Sequence, residues 1–407
     1  MTGAWDTPER TALRESAARF TREQVVPQLA EWEDACEVPR ELHARAAAAG
    51  LLAVGFGEDV GGVGGDIVDV SVLTEAVIGA GGSGGLVAAL FTHGIALPHI
   101  VAAGTAPGAG AAGRDLVDRY VRPTLAGETI GALAVTEPGG GSDVAALTTR
   151  ARRDGDHYVV DGAKTFITSG VRADFVTTAV RTGDAGYGGI SLLVVDKGLD
   201  GFTVAPVPRK MGWHCSDTAE LSFDAVRVPA GNLVGALDGG FALVMQQFAA
   251  ERLSLAVQAY ATAQRALDLA VAYARARSTF GRPLIDRQLI RHKLVRMYRR
   301  TAAARAFTRD VVERAAAAGE ATGARAADLH RRLGLDACLA KNEAVEACDL
   351  VVDQAVQVFG GAGYVAPSEV ERHYRDARVL GIGGGATEVL DDLAARLLGY
   401  GSAEGDR

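Results

Sequence analysis

Apolar residues recur at helical spacing towards both ends of the chain and gather into short strand-like runs in its middle. Thr7-Pro8-Glu9-Arg10 reads as a helix start, with proline in the first turn and an acid close behind. Leu13, Ala17, Phe20 and Val25 continue at roughly helical spacing. Residues 7–130 therefore read as mostly helical, punctuated by glycine-rich loops at 55–65, 79–85 and 104–113. From 131 to 235 the pattern changes to short apolar runs: Leu133–Val135, Tyr158–Val160, Ala173–Val176, Ile190–Val195 and Phe202–Val204. Asp154-Gly155-Asp156 and Asp161-Gly162 stand between runs as hairpin turns. Strands this close, with no helices between them, describe a β-domain rather than a doubly wound α/β unit. The helical period returns near 239, with one long amphipathic stretch over 241–276 and further helices at about 284–317, 323–356 and 385–398. Long helices with short links predict a four-helix bundle. The expected fold class is α+β: a helical domain over 1–130, an antiparallel, barrel-like β-domain over 131–235, and a bundle over 236–407.

Composition narrows the function classes. The 407 residues are long enough for two or three domains, and 48% hydrophobic content marks a globular chain. A net charge of −8 argues against nucleic acid as the main partner. Cys36, Cys215, Cys338 and Cys348 form no C-x-x-C pair, so they read as buried, reduced thiols and not as a metal site or a disulfide framework. The first residues carry neither an apolar signal core nor an Arg-rich transit pattern. No run of about 18 apolar residues occurs, so no membrane span is expected and a cytoplasmic location is the default.

Several motifs carry candidate chemistry. Gly79-Ala-Gly81-Gly-Ser-Gly84 matches G-x-G-x-x-G, but no acid stands about 20 residues on to hold a ribose, and it reads as a helix-to-helix loop. The run from Val135 through Thr136-Glu137-Pro138-Gly139-Gly140-Gly141-Ser142-Asp143 to Val144 is a strand end followed by a glycine-rich turn, where backbone can approach a planar ring or a phosphate. His214-Cys215 lacks ligand spacing and reads as structural. Arg291, Lys293, Arg296, Arg299, Arg300 and Arg305 read as a solvated helix face. Glu251 is the least expected residue. On a helix, Val244, Phe248 and Leu255 share its face, which puts a carboxyl on an apolar stripe. Such a group is a misplaced surface residue, an ion-paired structural group with the adjacent Arg252 as partner, or a functional acid or base.

Taken together, these segments resemble the acyl-CoA dehydrogenase family over nearly the whole chain. The 135–144 run resembles its flavin-binding signature, and Phe166-Ile167-Thr168-Ser169-Gly170 its second flavin segment, where phenylalanine stands at the place of a frequent tryptophan. The resemblance implies FAD as cofactor. Leu133, Val135 and Thr136 would lie along the flavin, Gly141, Ser142, Phe166 and Thr168 would line its site, and Ser142 would also touch the CoA arm. Arg277 to Leu284, with Phe280, and Gln288 resemble the segment that reaches a neighbouring subunit's flavin. Gln357 to Gly363, with Gly361, resembles its partner segment, and Thr387 and Glu388 join the cofactor set. A homotetramer, or a homodimer, is implied. Many members carry the catalytic glutamate at the position matching Gly384. Here Glu251 occupies the alternative place used by the long-chain and isovaleryl branches. The implied reaction is α,β-dehydrogenation of an acyl-CoA to the trans-2-enoyl thioester. Glu251 takes the α-proton, the Gly384 N–H binds the thioester carbonyl, and hydride passes to flavin N5. Arg252 and Gly383 would contact substrate, and an electron-transferring flavoprotein would reoxidise the enzyme. Open alternatives are an acyl-carrier-protein dehydrogenase, a flavin monooxygenase or nitroalkane-type oxidase, and a non-enzymatic binder. No metal is implied.

Overall fold

The computed structural model describes residues 3–184, 186–207, 209–319 and 323–400. The chain forms two compact units, each assembled from stretches far apart in sequence. One comprises residues 31–65 and 85–248; the other comprises 1–30, 66–84 and 249–407.

The first unit is built on one sheet. Its strands are β1 (Gly131–Ala134), β2 (Arg150–Asp154), β3 (His157–Thr168), β4 (Phe175–Arg181), β5 (Ile190–Asp196), β6 (Phe202–Pro206), β7 (Thr218–Pro229) and β8 (Leu233–Val234). They run in the order β6-β7-β3-β2-β4-β5-β8, with β1 beside β4. The ladders are antiparallel except β1 with β4 and the single β2–β4 pairing, which are parallel, so the expected all-antiparallel sheet is corrected. Side chains alternate between two cores. Phe175, Ala179, Leu192 and Val194 pack with helical Leu97, Ile100 and Leu116, while Val176, Val180, Leu193 and Val195 pack with Tyr158, Val160 and Leu221. Covering both faces explains why β4 and β5 are buried along nearly their whole length, Thr177, Thr178 and Ser191 included.

The turn expected after Asp154 is present: Gly155 and Asp156 link β2 to β3. The expected turn at Asp161-Gly162 is not there. Strand β3 runs through it as a bulge, with its register against β7 shifting between Val160 and Gly162. Gly162 sits at φ +143°, and a Cβ there would lie 2.6 Å from Thr149 Oγ1, so only glycine lets the strand continue past its neighbour.

The second unit is helical: α1 (Pro8–Phe20), α2 (Ile67–Gly79), α3 (Gly240–Ala276, from Ala249 onward), α4 (Gln288–Gly319), α5 (Gly323–Phe359), α6 (Glu369–Ala377) and α7 (Thr387–Leu397). Helix α1 packs on α2, α2 on α4, α4 on α5, and α5 on α6 and α7. Helix α1 starts as the sequence predicts, with the Thr7 side chain accepting from the Arg10 N–H. The residues 66–84 join this unit through Glu75, which accepts from Tyr260 Oη at 2.6 Å and from the Arg309 guanidinium at 2.7 Å. The G-x-G-x-x-G run is a loop between α2 and a short helix beginning at Gly84, as expected. Helix α6 was not anticipated, and the last helix is shorter than predicted. Of the basic run, Arg291, Arg296 and Arg299 are exposed. Lys293 instead reaches Gln354, Arg300 reaches Glu343, and Arg305 reaches Gln264. All four cysteines are free, but Cys36 is half-buried and not buried. Among the described residues no helix is long and apolar enough to cross a membrane.

Candidate active site

The candidate residues fall into three groups, one in the sheet unit and two in the helical unit. In the sheet unit, β1 leads into the 135–144 turn. Ala132 and Ala134 are buried, while Leu133, Val135 and Thr136 keep partial exposure. The Thr165 N–H donates to Thr136 O at 3.0 Å, tying this strand end to β3. The turn closes on itself through Glu137 and Gly140. A Cβ at Gly141 would lie 3.0 Å from Thr136 Cγ2, whereas at Gly139 and Gly140 it would meet nothing within 4 Å. The rim of the turn, Gly141 and Ser142 included, is exposed. Next to it β3 bulges between Lys164 and Ile167, and Phe166 adopts φ +59° with 67% of its surface exposed. An exposed aromatic ring on left-handed backbone is an uncommon arrangement that concentrates at functional sites. Thr168 is half-buried at the end of the same strand.

Beneath this surface lies an ion pair that the sequence reading missed. Lys164 is fully buried and donates to Glu137 Oε1 at 2.8 Å and to Val135 O at 3.0 Å. Glu137 also accepts from the Thr148 N–H and hydroxyl, both at 2.7 Å, and from the Thr149 N–H at 2.9 Å. Burial raises the Glu137 carboxyl, but these donors outweigh it and hold it at about 2. The same pair fixes the entry and the exit of the glycine-rich turn.

In the helical unit, Glu251 and Arg252 on α3 meet the turn that precedes α7. Gly384 and Gly385 stand at φ +66° and +98°, left-handed backbone that glycine alone adopts freely. A Cβ at Gly384 would lie 2.4 Å from Leu255 Cδ1 and 3.9 Å from Glu251 Oε1. The carboxyl of Glu251 therefore lies where a side chain from position 384 would point. Among the described residues that carboxyl has no hydrogen-bond or ion-pair partner, and burial raises its pKa, with Arg252 opposing. The expected structural alternative, an ion pair with Arg252, is absent. Arg252 instead points Nε towards Gly384 O at 3.4 Å and Nη1 towards Cys338 Sγ at 3.6 Å. Gly383 donates to Val379 O at 2.8 Å, and a Cβ there would find open space except for that carbonyl at 3.6 Å. Thr387 and Glu388 open α7, with Thr387 Oγ1 donating to Gly381 O at 3.4 Å.

The third group lies at the other end of α3 and α5. Stacking of Tyr273 on Phe359, with centroids 4.2 Å apart, joins the stretch before Arg277 to the stretch after Gln357. Arg277 leads into a two-strand ribbon, Ser278–Thr279 with Arg282–Pro283. Phe280 at its tip has φ +49° and is 96% exposed. Gln288, Gln357 and Gly361 keep partial or full exposure. His214 is bound to Lys210 O at 2.8 Å and Cys215 is buried, as a structural role requires.

The chain matches the acyl-CoA dehydrogenase N-terminal domain over residues 7–107, the middle domain over 132–226 and the C-terminal domain over 238–399. It belongs to the acyl-CoA dehydrogenase family. Long-chain specific acyl-CoA dehydrogenase of Rattus norvegicus is 34% identical, over 95% of this chain and 86% of its own length. Acyl-CoA dehydrogenase of Bacillus subtilis is also 34% identical, over 96% and 98%. The crystal structure of a probable acyl CoA dehydrogenase from Mycobacterium abscessus superposes with a TM-score of 0.91 at 59% identity, covering 97% of this chain and all of that one. The acyl-CoA dehydrogenase fold, with helical first, sheet middle and helical last domains, is therefore this chain's fold.

Proposed function

We propose that this member of the family is an FAD-dependent dehydrogenase of acyl-CoA thioesters, with Glu251 as the base that removes the α-proton. The reading rests chiefly on the unpartnered Glu251 carboxyl lying 3.9 Å from the Cβ position of residue 384. A carboxyl with raised pKa and no hydrogen-bond donor of its own is suited to accept a proton from a weak carbon acid. The Gly384 N–H has no protein acceptor among the described residues and is left to donate to a thioester carbonyl, stabilising the charge that develops there.

The residues present fit a flavin. The half-buried Leu133, Val135 and Thr136, the exposed Phe166 ring and the open Gly139–Gly140 backbone together offer an apolar edge and a backbone cradle. FAD held there supplies the acceptor for the hydride that leaves the β-carbon. Arg277, Phe280, Gln288, Gln357 and Gly361, none of them buried, are assigned to the flavin of a neighbouring subunit, and an electron-transferring flavoprotein to reoxidation.

Anaerobic stopped-flow reduction tests the base. Glu251→Gln keeps shape and loses proton affinity, so flavin reduction by an acyl-CoA is expected to slow by at least ~10²–10⁴-fold with FAD retained. Reduction at near wild-type speed would mean that Glu251 is structural.

A further inference from the structure

We propose that Lys341 is a positioning residue for this reaction: its ammonium holds the Gly385 carbonyl and so fixes the turn that presents the Gly384 N–H. The proposal rests on the reading of Gly384 and Glu251 given above. Lys341 lies on α5, is fully buried, and donates from Nζ to Gly385 O at 2.8 Å. Among the described residues it forms no ion pair. A buried ammonium without a carboxylate is costly, and a methionine would fill the same space with no such cost. What the charge does here is hold backbone.

The turn needs holding. Gly383, Gly384 and Gly385 are consecutive, and glycine loses more conformational freedom on ordering than any other residue. Gly383 is secured by its bond to Val379 O, but the N–H groups of Gly384 and Gly385 have no protein acceptor among the described residues. Their carbonyls are the remaining handles, and each is taken by a cation: Gly384 O by Arg252 at 3.4 Å and Gly385 O by Lys341 at 2.8 Å. Of the two, only the Lys341 contact is short. With both carbonyls drawn towards α3 and α5, the peptide N–H groups are left unspent. Asn342, the next residue on α5, completes the anchorage by donating to Thr387 O at 3.0 Å and Asp391 Oδ1 at 2.8 Å.

The charged and titratable groups that act on Lys341 are Arg252 on α3, Cys338 and Asp349 on α5, and Glu388 on α7. Burial first, and then Arg252, pull the amine down to about 8, while Cys338, Glu388 and Asp349 oppose. The brace therefore weakens as pH rises through 8, because a neutral amine is a poorer donor than an ammonium.

The experiment uses the FAD-loaded enzyme with Lys341→Met and Lys341→Arg, and reads two quantities. Hydrogen exchange of peptides spanning 379–389, referenced to peptides elsewhere in the same chain, is expected to quicken at least about tenfold in Lys341→Met. Its kcat for an acyl-CoA substrate is expected to fall about 10–100-fold with a smaller change in KM, as misplacement of a reacting geometry predicts. Lys341→Arg keeps a charge at all relevant pH and should abolish the wild-type loss of kcat above pH 8, whatever its absolute rate. Faster exchange with unchanged kcat would show a merely structural lysine and overturn the proposal, as would unchanged exchange with unchanged kcat. If Lys341→Met does not fold, Lys341→Gln is read in its place, and unchanged exchange over 379–389 with unchanged kcat in that variant overturns the proposal. Exchange needs no chemistry, so a failure of the base assignment, seen in Glu251→Gln, is distinguishable from a failure here.

Discussion

Two lysines, one in each unit, show how similar burial can serve different ends. Lys164 and Lys341 are both fully buried, both are pulled by burial to about 8, and both donate to a backbone carbonyl of a glycine-rich turn. Lys164 also has a carboxylate: Glu137 at 2.8 Å, itself filled by three donors from Thr148 and Thr149. Lys341 has a carbonyl and, nearby, another cation. The first is a closed ion pair that fixes a surface loop onto a sheet. The second is an open contact that leaves its charge directed at one turn. Breaking the first should damage the fold, and breaking the second the chemistry.

The largest expected effect tests the closed pair. Lys164→Met strands a buried carboxylate, which typically costs about 3–5 kcal/mol. Lys341→Met strands only a carbonyl and removes a costly buried charge, so its loss should not exceed about 1–3 kcal/mol. Urea unfolding of both variants ranks them, and a larger loss for Lys341→Met would reverse the contrast. Adding Glu137→Leu to Lys164→Met should recover only part of that loss, because it removes the unpaired buried charge but leaves the Thr148 and Thr149 N–H donors without their acceptor.

Acid should find the same pair. The folded Glu137 carboxyl stands at about 2 against an ordinary 4.5, so its contribution is complete above about 4.5 and is lost as pH falls towards 2. Glu369 in the helical unit, bound by Arg265 and His373, is also held at about 2 and adds a second loss in the same window. The prediction is therefore comparative: wild type should lose urea resistance between pH 5 and pH 3 more steeply than Glu137→Gln. Equal slopes would remove Glu137 from the account.

These two lysines also mark how far the sequence could be read. The glycine-rich turn after β1 was legible because its ten residues are contiguous, and the place of Glu251 on an apolar face was legible because a carboxyl interrupts an apolar stripe. Lys341 carries the same signal: Ala337, Cys338, Ala344 and Val345, at i−4, i−3, i+3 and i+4, are all buried. It could have been found by the reasoning that found Glu251. Lys164 could not, because its partner Glu137 is 27 residues away and the bulge at Gly162 disguises the strand phase. Helix α6 escaped for another reason. It is nine residues long, and its buried face mixes Val370 and Ala377 with Arg372, His373 and Asp376, so its few apolar positions do not announce it. The joining of residues 66–84 to the last helices rests on Glu75 and Arg309, 234 positions apart, which no local pattern encodes.

The smallest effect concerns the turn that Lys341 braces. If Glu251 acts where a residue at 384 would reach, moving the carboxylate should restore part of the rate. Glu251→Gly with Gly384→Glu is expected to reduce flavin faster than Glu251→Gly alone, but far below wild type. Two obstacles limit it. Residue 384 has φ +66°, which glutamate adopts only with strain, and its Cβ would stand 2.4 Å from Leu255 Cδ1. The second obstacle is the tip of a flexible side chain and can move; the first is backbone, fixed by Lys341 and Arg252. Adding Leu255→Ala separates them. If the side chain limits rescue, the triple variant outpaces the double in stopped-flow reduction; if the braced backbone limits it, the two are equal. No gain of the double variant over Glu251→Gly would show that positions 251 and 384 do not address the same atom.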